Sequence, residues 1–180
     1  DVLDEGALTL LRNGGKVLWL VPPDRVKGDA QGKVKIGFSS IFWNTAWTSR
    51  QPPHTLGILC DPRHRALADF STERYSNWQW WYLVHNAGAM ILDGLPADLQ
   101  PIVQVIDDWF TSRKLALMVE ASVGTGKLLV CSIDLKNGLA TNPVGRQMLR
   151  SILGYMASDA FRPRVVLTAG QVRGMTTEAN

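Results

Sequence analysis

The stretch "KLALMVEASVGTGKLLVCSIDL", residues 114–135, constrains the fold more than any other part of the chain. Two runs rich in Val, Leu and Ile flank Gly124-Thr125-Gly126, and a Gly-containing turn between such runs signals a β-hairpin. The turn also carries "VGTGKL", which invites a nucleotide-binding reading. A phosphate-binding loop needs G-x-x-x-x-G-K-[ST] between a strand and a helix, so that backbone N–H groups cradle the phosphates. Here Ala121 stands at the first glycine position, Leu128 follows Lys127, and a strand comes next. Spacing, hydroxyl and context all fail, and the segment reads as a turn.

Other elements have their own signatures. Val2, Leu3, Ala7, Leu8, Leu10 and Leu11 form an apolar helical face, Asp4 and Glu5 suit its first turn, and "NGG" at 13–15 ends it. "KVLWLVPP" then reads as a short buried strand stopped by prolines, and 24–35 as a loop. Asp61 and Pro62 lead a compact helix predicted over 63–70, and "PIVQVID" at 101–107 reads as a strand. Asn142 caps and Pro143 starts a helix with apolar residues at Val144, Met148, Leu149, Ile152, Leu153 and Met156. Residues 164–180 are polar and read as a tail, leaving 1–163 as the domain.

This order predicts an α/β sandwich with a largely parallel central sheet and a C-terminal hairpin. The opening helix enters its strand through a tight glycine turn, as in a βα repeat. The first strand or strands are therefore expected upstream of residue 1, and the chain reads as a fragment.

Composition limits the function classes. With 46% hydrophobic and 19% charged residues the chain is globular. A net charge of +3 with scattered basic residues lacks the dense footprint of a nucleic-acid binder. No apolar run reaches the roughly 18 residues of a membrane span. Cys60 and Cys131 sit in apolar surroundings and read as small hydrophobes. The nearby His54 and His64 leave a Cys60–His pair open, but neither cysteine has a nucleophile elbow. The three histidines lack metal-ligand spacing, and no metal or cofactor is expected. Asp107, Asp108, Glu120 and Asp134 fall at strand ends or edges, where a retaining glycosidase pair would have to stand about 5 Å apart.

Six of the seven tryptophans lie between Trp43 and Trp109, three of them in "SNWQWWYLV". On a helix Trp78, Trp81 and Tyr82 share a face and Trp80 points elsewhere; on a strand Trp78 and Trp80 share one. Exposed aromatic faces stack on the C–H faces of sugars, whereas tryptophan is on average highly buried, so core and platform both remain open.

"FWNTAWT", "HTLGILCDPRHRALADFSTERYSNWQWW", "PIVQVIDDW", "RKLALMVEASVGTGKLLVCSIDL" and "RQMLRSILGYMAS" together resemble a C-terminal domain attached to large bacterial glycoside hydrolases of family two, β-galactosidase-like enzymes with a sugar-binding domain. The resemblance covers roughly residues 1–163. It departs from the expected pattern at Arg65 and Ser71, where prolines would stand. That domain is similar to class I glutamine amidotransferase-like and trehalose-utilisation-like (ThuA-like) folds. The resemblance therefore implies a flavodoxin-like three-layer sandwich and a non-catalytic accessory module of a periplasmic or extracellular enzyme. Its implied partners are the upstream hydrolase domains of the same polypeptide and carbohydrate.

The expected contact residues for sugar or a neighbouring domain are Trp43, Asn44, Trp47, His54, Trp78, Gln79, Asp107 and Glu120, with Trp80 or Trp81 in the core. Two alternatives stand beside this reading. One is a stand-alone ThuA-like hydrolase or sugar-metabolism enzyme with His54, Asp107 and Glu120 converging in a pocket. The other is a module that only docks the parent domains.

Overall fold

A computed structural model of the chain describes residues 2–37 and 54–177. The hairpin is present: β5 (Leu115–Val123) and β6 (Gly126–Cys131) pair antiparallel across Gly124-Thr125, with Gly124 at φ +61°. Around it the strands run β1 (Lys16–Leu20), β6, β5, β4 (Val103–Ile106), β2 (Gly57–Cys60), and the short β3 (Met90–Ile91) also pairs with β5. Among the described strands only β1 and β6 are parallel; every other pairing is antiparallel.

The mostly parallel, flavodoxin-like sandwich expected from the sequence is therefore corrected to a mixed, mainly antiparallel sheet. Connection length explains the difference. β4 ends at Ile106 and β5 begins at Leu115, and β5 and β6 are separated by two residues. A parallel pairing needs a crossover of a dozen or more residues, and these links are too short for one.

Helices cover both faces. α1 (Glu5–Arg12) is capped by the Asp4 carboxylate, which accepts the Ala7 N–H at 2.8 Å. α2 is Trp78–His85, α3 is Pro143–Ala157 and α4 is Ala169–Arg173. Leu8 and Leu11 of α1 and Val172 of α4 share one core with Trp19, Val119 and Val130. Trp80 and Leu83 of α2 and Met148 and Ile152 of α3 share the other with Ile58, Leu117 and Leu129. The helix predicted over 63–70 shrinks to a 3-10 turn, Arg65–Leu67, capped by His64.

One irregularity decides what β5 offers each core. Val103 pairs with Met118 but Gln104 with Ala116, so Leu117 is an extra residue on β5. This bulge shifts the alternation by one. Leu115, Leu117 and Met118 enter the α2/α3 core, while Val119, Ala121 and Val123 enter the α1/α4 core. Glu120 consequently faces α3, where its carboxylate accepts the Tyr155 hydroxyl at 2.6 Å.

The polar segment after 163 belongs to this fold. Ser122 donates its N–H to Val165 O at 2.8 Å and accepts the Leu167 N–H at 2.9 Å. Thr168 and Gln171 form a reciprocal capping box at the start of α4, and Leu167, Val172 and Met175 are buried. Residues 164–177 are thus packed on the domain and are not a polar tail, because Leu167, Val172 and Met175 fill the second core.

Candidate functional site

α2 divides three of the tryptophans between core and surface. Asn77 holds the extended cap position, and the next eight residues are helical. A 3.6-residue period then sorts the aromatics. Trp80, Leu83 and Val84 point into the core, where Trp80 meets Phe70 edge-on and donates its indole N–H to Thr72 Oγ1 at 2.7 Å. Trp78, Trp81, Tyr82 and His85 stand at i, i+3, i+4 and i+7 on the outer face. Trp78 is 87% exposed and Trp81 52%. The Trp78 and Trp81 rings lie 6.2 Å apart at 55°, and the His85 imidazole lies 3.9 Å from the Trp81 ring. His85 Nδ1 also lies 2.7 Å from the Trp81 carbonyl oxygen. The outer face is thus a continuous aromatic strip with one imidazole at its end.

The other expected contact residues are dispersed. Trp43, Asn44 and Trp47 lie outside the described residues. Gln79 donates its amide to Ser71 O at 2.6 Å, which ties down the segment leading into α2. His54 is half-buried against Gly37, with Nδ1 2.8 Å from Thr55 O. Asp107 is buried just past β4, in two parallel bonds to the Arg113 guanidinium. Burial raises its pKa, but the Arg113 hydrogen bonds outweigh that and hold it below the usual carboxylate value. Glu120 is committed to Tyr155, whose phenol burial and the nearby carboxylate push its pKa up.

Arg113 sits before β5 and Glu120 is the sixth of its nine residues. Seven residues of extended chain separate them, about 23 Å. The His54–Asp107–Glu120 pocket of the hydrolase alternative is therefore not assembled, because Asp107 is held by Arg113 ahead of β5 while Glu120 lies well along that strand.

Arg113 also binds Asp29 at 2.8 Å and approaches Asp108 at 3.5 Å. Asp108 Oδ1 accepts the Phe110 and Thr111 N–H groups at 2.8 and 2.9 Å, a turn that leaves Phe110 exposed. A cavity of about 600 Å³ lies against it, lined by Lys33, Lys35, Asp108, Phe110 and Arg113 among others.

The thiols are unsuited to attack. Burial pushes Cys60 up to about 11 and Cys131 to about 12, so both are protonated at neutral pH. Cys60 gives its S–H to Glu73 O, and His64 Nδ1 accepts the Ala66 N–H. Among the described residues no group of three or more His, Cys, Asp or Glu is placed to hold a metal ion. No helix among them is long and apolar enough to cross a membrane.

Sequence reasoning missed a second cavity altogether. About 330 Å³ opens where β1 and β6 end, between Leu20–Asp24 and Ile133–Asn137. No residue there announces it, because it is created by the parallel pairing of two strands distant in sequence.

A search of the curated proteins finds no match. The sequence model of one family matches residues 1–177, that of a domain of unknown function, DUF8487. Since this match spans nearly the whole chain, the protein belongs to the DUF8487 family.

Proposed function

We propose that this domain is a non-catalytic accessory module of a glycan-degrading enzyme, which binds carbohydrate through the outer face of α2. The observation that carries the reading is the exposure of Trp78 and Trp81 on one helical face with Tyr82 and His85 beside them. Aromatic faces of this kind offer apolar area to the C–H face of a pyranose, and the Tyr82 hydroxyl and His85 ring supply hydrogen bonds at the edge. The non-catalytic part is supported by what the chemistry-bearing residues are doing. Asp107, Glu120 and Cys60 are each engaged in contacts that hold the fold together. In this reading the parent polypeptide is a β-galactosidase-like hydrolase acting in the periplasm or outside the cell.

Titration of the chain with a panel of neutral oligosaccharides, followed by tryptophan fluorescence and calorimetry, tests it. Saturable binding that Trp78→Ala weakens at unchanged melting temperature is the expected result. If no sugar binds and Trp78 is instead protected on joining the parent hydrolase domains, the face is a docking surface and the carbohydrate part fails.

A further inference from the structure

The cavity at the ends of β1 and β6 and the aromatic face of α2 share a wall. That wall is the loop after β6. Asp134 donates its N–H to Asn86 O at 2.6 Å, just beyond the C-terminal end of α2, and Ile133 bridges Ala87. A Cβ on Gly138 would lie 3.2 Å from the Tyr82 hydroxyl oxygen, so the loop passes close beneath the aromatic strip. The other side of this loop, Ile133–Asn137, lines the cavity.

Both walls of the cavity are stiff. Pro22 and Pro23 fix one. In the other, the Asp134 carboxylate accepts the Lys136 N–H at 3.1 Å, the Asn137 N–H at 2.9 Å and the Asn137 side-chain amide at 2.9 Å. Leu20, Pro22 and Pro23 are half-buried and give the cavity its apolar floor, with Val21, Ile133 and Leu135 buried behind it. Asp24, Asp134, Lys136 and Asn137 supply the polar groups around it. An apolar floor with a few planar polar groups at the rim is how small-ligand sites fix orientation. It matches a sugar ring, which lays down a C–H face and offers hydroxyls around its edge.

Charge narrows the class. The lining carries two carboxylates, Asp24 and Asp134, to one ammonium, Lys136, and the Lys136 and Asn137 N–H groups that could cradle an anion are already given to Asp134. Phosphates and uronic acids are disfavoured on both counts. The volume of about 330 Å³ is at the small end for ligand sites, enough for a terminal sugar rather than a long chain. We infer that this cavity is the end subsite for a neutral pyranose, from which the rest of a glycan runs over Gly138 onto Tyr82 and Trp81. The inference rests on the carbohydrate reading of α2 and adds to it where the chain ends and which sugars are refused.

The test is amide-resolved NMR titration of the 180-residue chain with neutral hexose oligosaccharides from mono- to hexasaccharide, and with an oligouronate as comparator. Shifts at Val21, Asp24, Lys136 and Asn137 are expected together with those of the Trp78 and Trp81 indoles. Asp24→Ala and Asn137→Ala should each weaken binding roughly fivefold to tenfold, the worth of about one hydrogen bond. Asn137 also closes the loop, so Asp24→Ala, whose side chain has no such duty, decides if Asn137→Ala alters the fold. Shifts confined to α2 with Asp24→Ala binding normally would overturn the end subsite while leaving the α2 reading intact. Equal binding of the oligouronate would overturn the neutral-sugar assignment. No binding of any sugar would overturn both.

Discussion

Arg113 grips Asp107 through two parallel hydrogen bonds, Nε to Oδ2 at 2.8 Å and Nη2 to Oδ1 at 2.9 Å. The Arg113 backbone N–H adds a third to the same carboxylate at 2.7 Å, and Nη1 reaches across to Asp29. One guanidinium therefore joins the β4–β5 connection to the loop after β1, with both main partners largely out of water.

Breaking this pair should destabilise the fold. Arg113→Ala leaves the buried Asp107 carboxylate without its counter-charge, a loss of about 3 kcal/mol or more by analogy with other buried pairs. Asp107→Asn should cost less, because the amide oxygen still accepts one bond. Urea unfolding measures both; a change within about 0.5 kcal/mol for Arg113→Ala would show that the clamp contributes nothing net.

Acid should weaken the protein in two stages. Burial lowers the His64 pKa below its ordinary 6.5, with Glu120 and Asp61 only partly opposing it. Below pH 6.5 the unfolded chain takes up a proton that the folded one resists, so stability falls until the folded imidazole also titrates. Asp107 has a folded pKa below 3.8, so its contribution is complete above that value and is lost as pH falls through the folded pKa. Melting temperature against pH should show both limbs, His64→Gln flattening the upper and Asp107→Asn the lower. A profile unchanged by either variant would refute the assignment.

Trp78 and Trp80 should separate sharply under alanine substitution. Trp80→Ala removes a fully buried ring and its bond to Thr72, a loss of about 3–5 kcal/mol. Trp78→Ala removes an exposed one and should stay within about 0.5 kcal/mol. Trp81 falls between them. Equal losses at 78 and 80 in a chemical denaturation series would mean that the outer face is covered.

Gly126 marks the tightest approach of α1 to the hairpin. A Cβ there would lie 2.6 Å from Leu11 Cα, against backbone that has nowhere to go. Gly126→Ala should therefore push α1 off the turn and cost about 1–3 kcal/mol. Amide exchange should show the loss concentrated in Leu8–Arg12 and Gly14–Val17; protection unchanged there would place the strain elsewhere.

Much of the local structure was legible because its causes are local. The hairpin follows from a glycine turn between two apolar runs, α1 from Asp4 and the glycines after Arg12, and α3 from Asn142 and Pro143. Even the division of the tryptophans was written in advance, conditional on a helix: Trp80 apart from Trp78, Trp81 and Tyr82. The strand directions are readable too: eight residues between β4 and β5 cannot make a parallel crossover, although the alternation of helical and strand patterns points to a parallel sheet.

Pairings between distant segments are decided only when the chain closes on itself. Lys16–Leu20 lies beside Lys127–Cys131, and that placement alone creates the cavity at their ends. A single bulge at Leu117 turns Glu120 toward Tyr155, and no sequence period predicts it. Asp107 and Glu120 look equivalent as carboxylates at strand ends or edges, yet one meets Arg113 ahead of β5 and the other, inside β5, meets Tyr155 of α3. Caps, turns and helical faces depend on residues a few positions apart, so local spacing is enough to specify them. Which faces are covered, and which polar groups meet, depends on the packing of all the elements at once and is settled only in the closed fold.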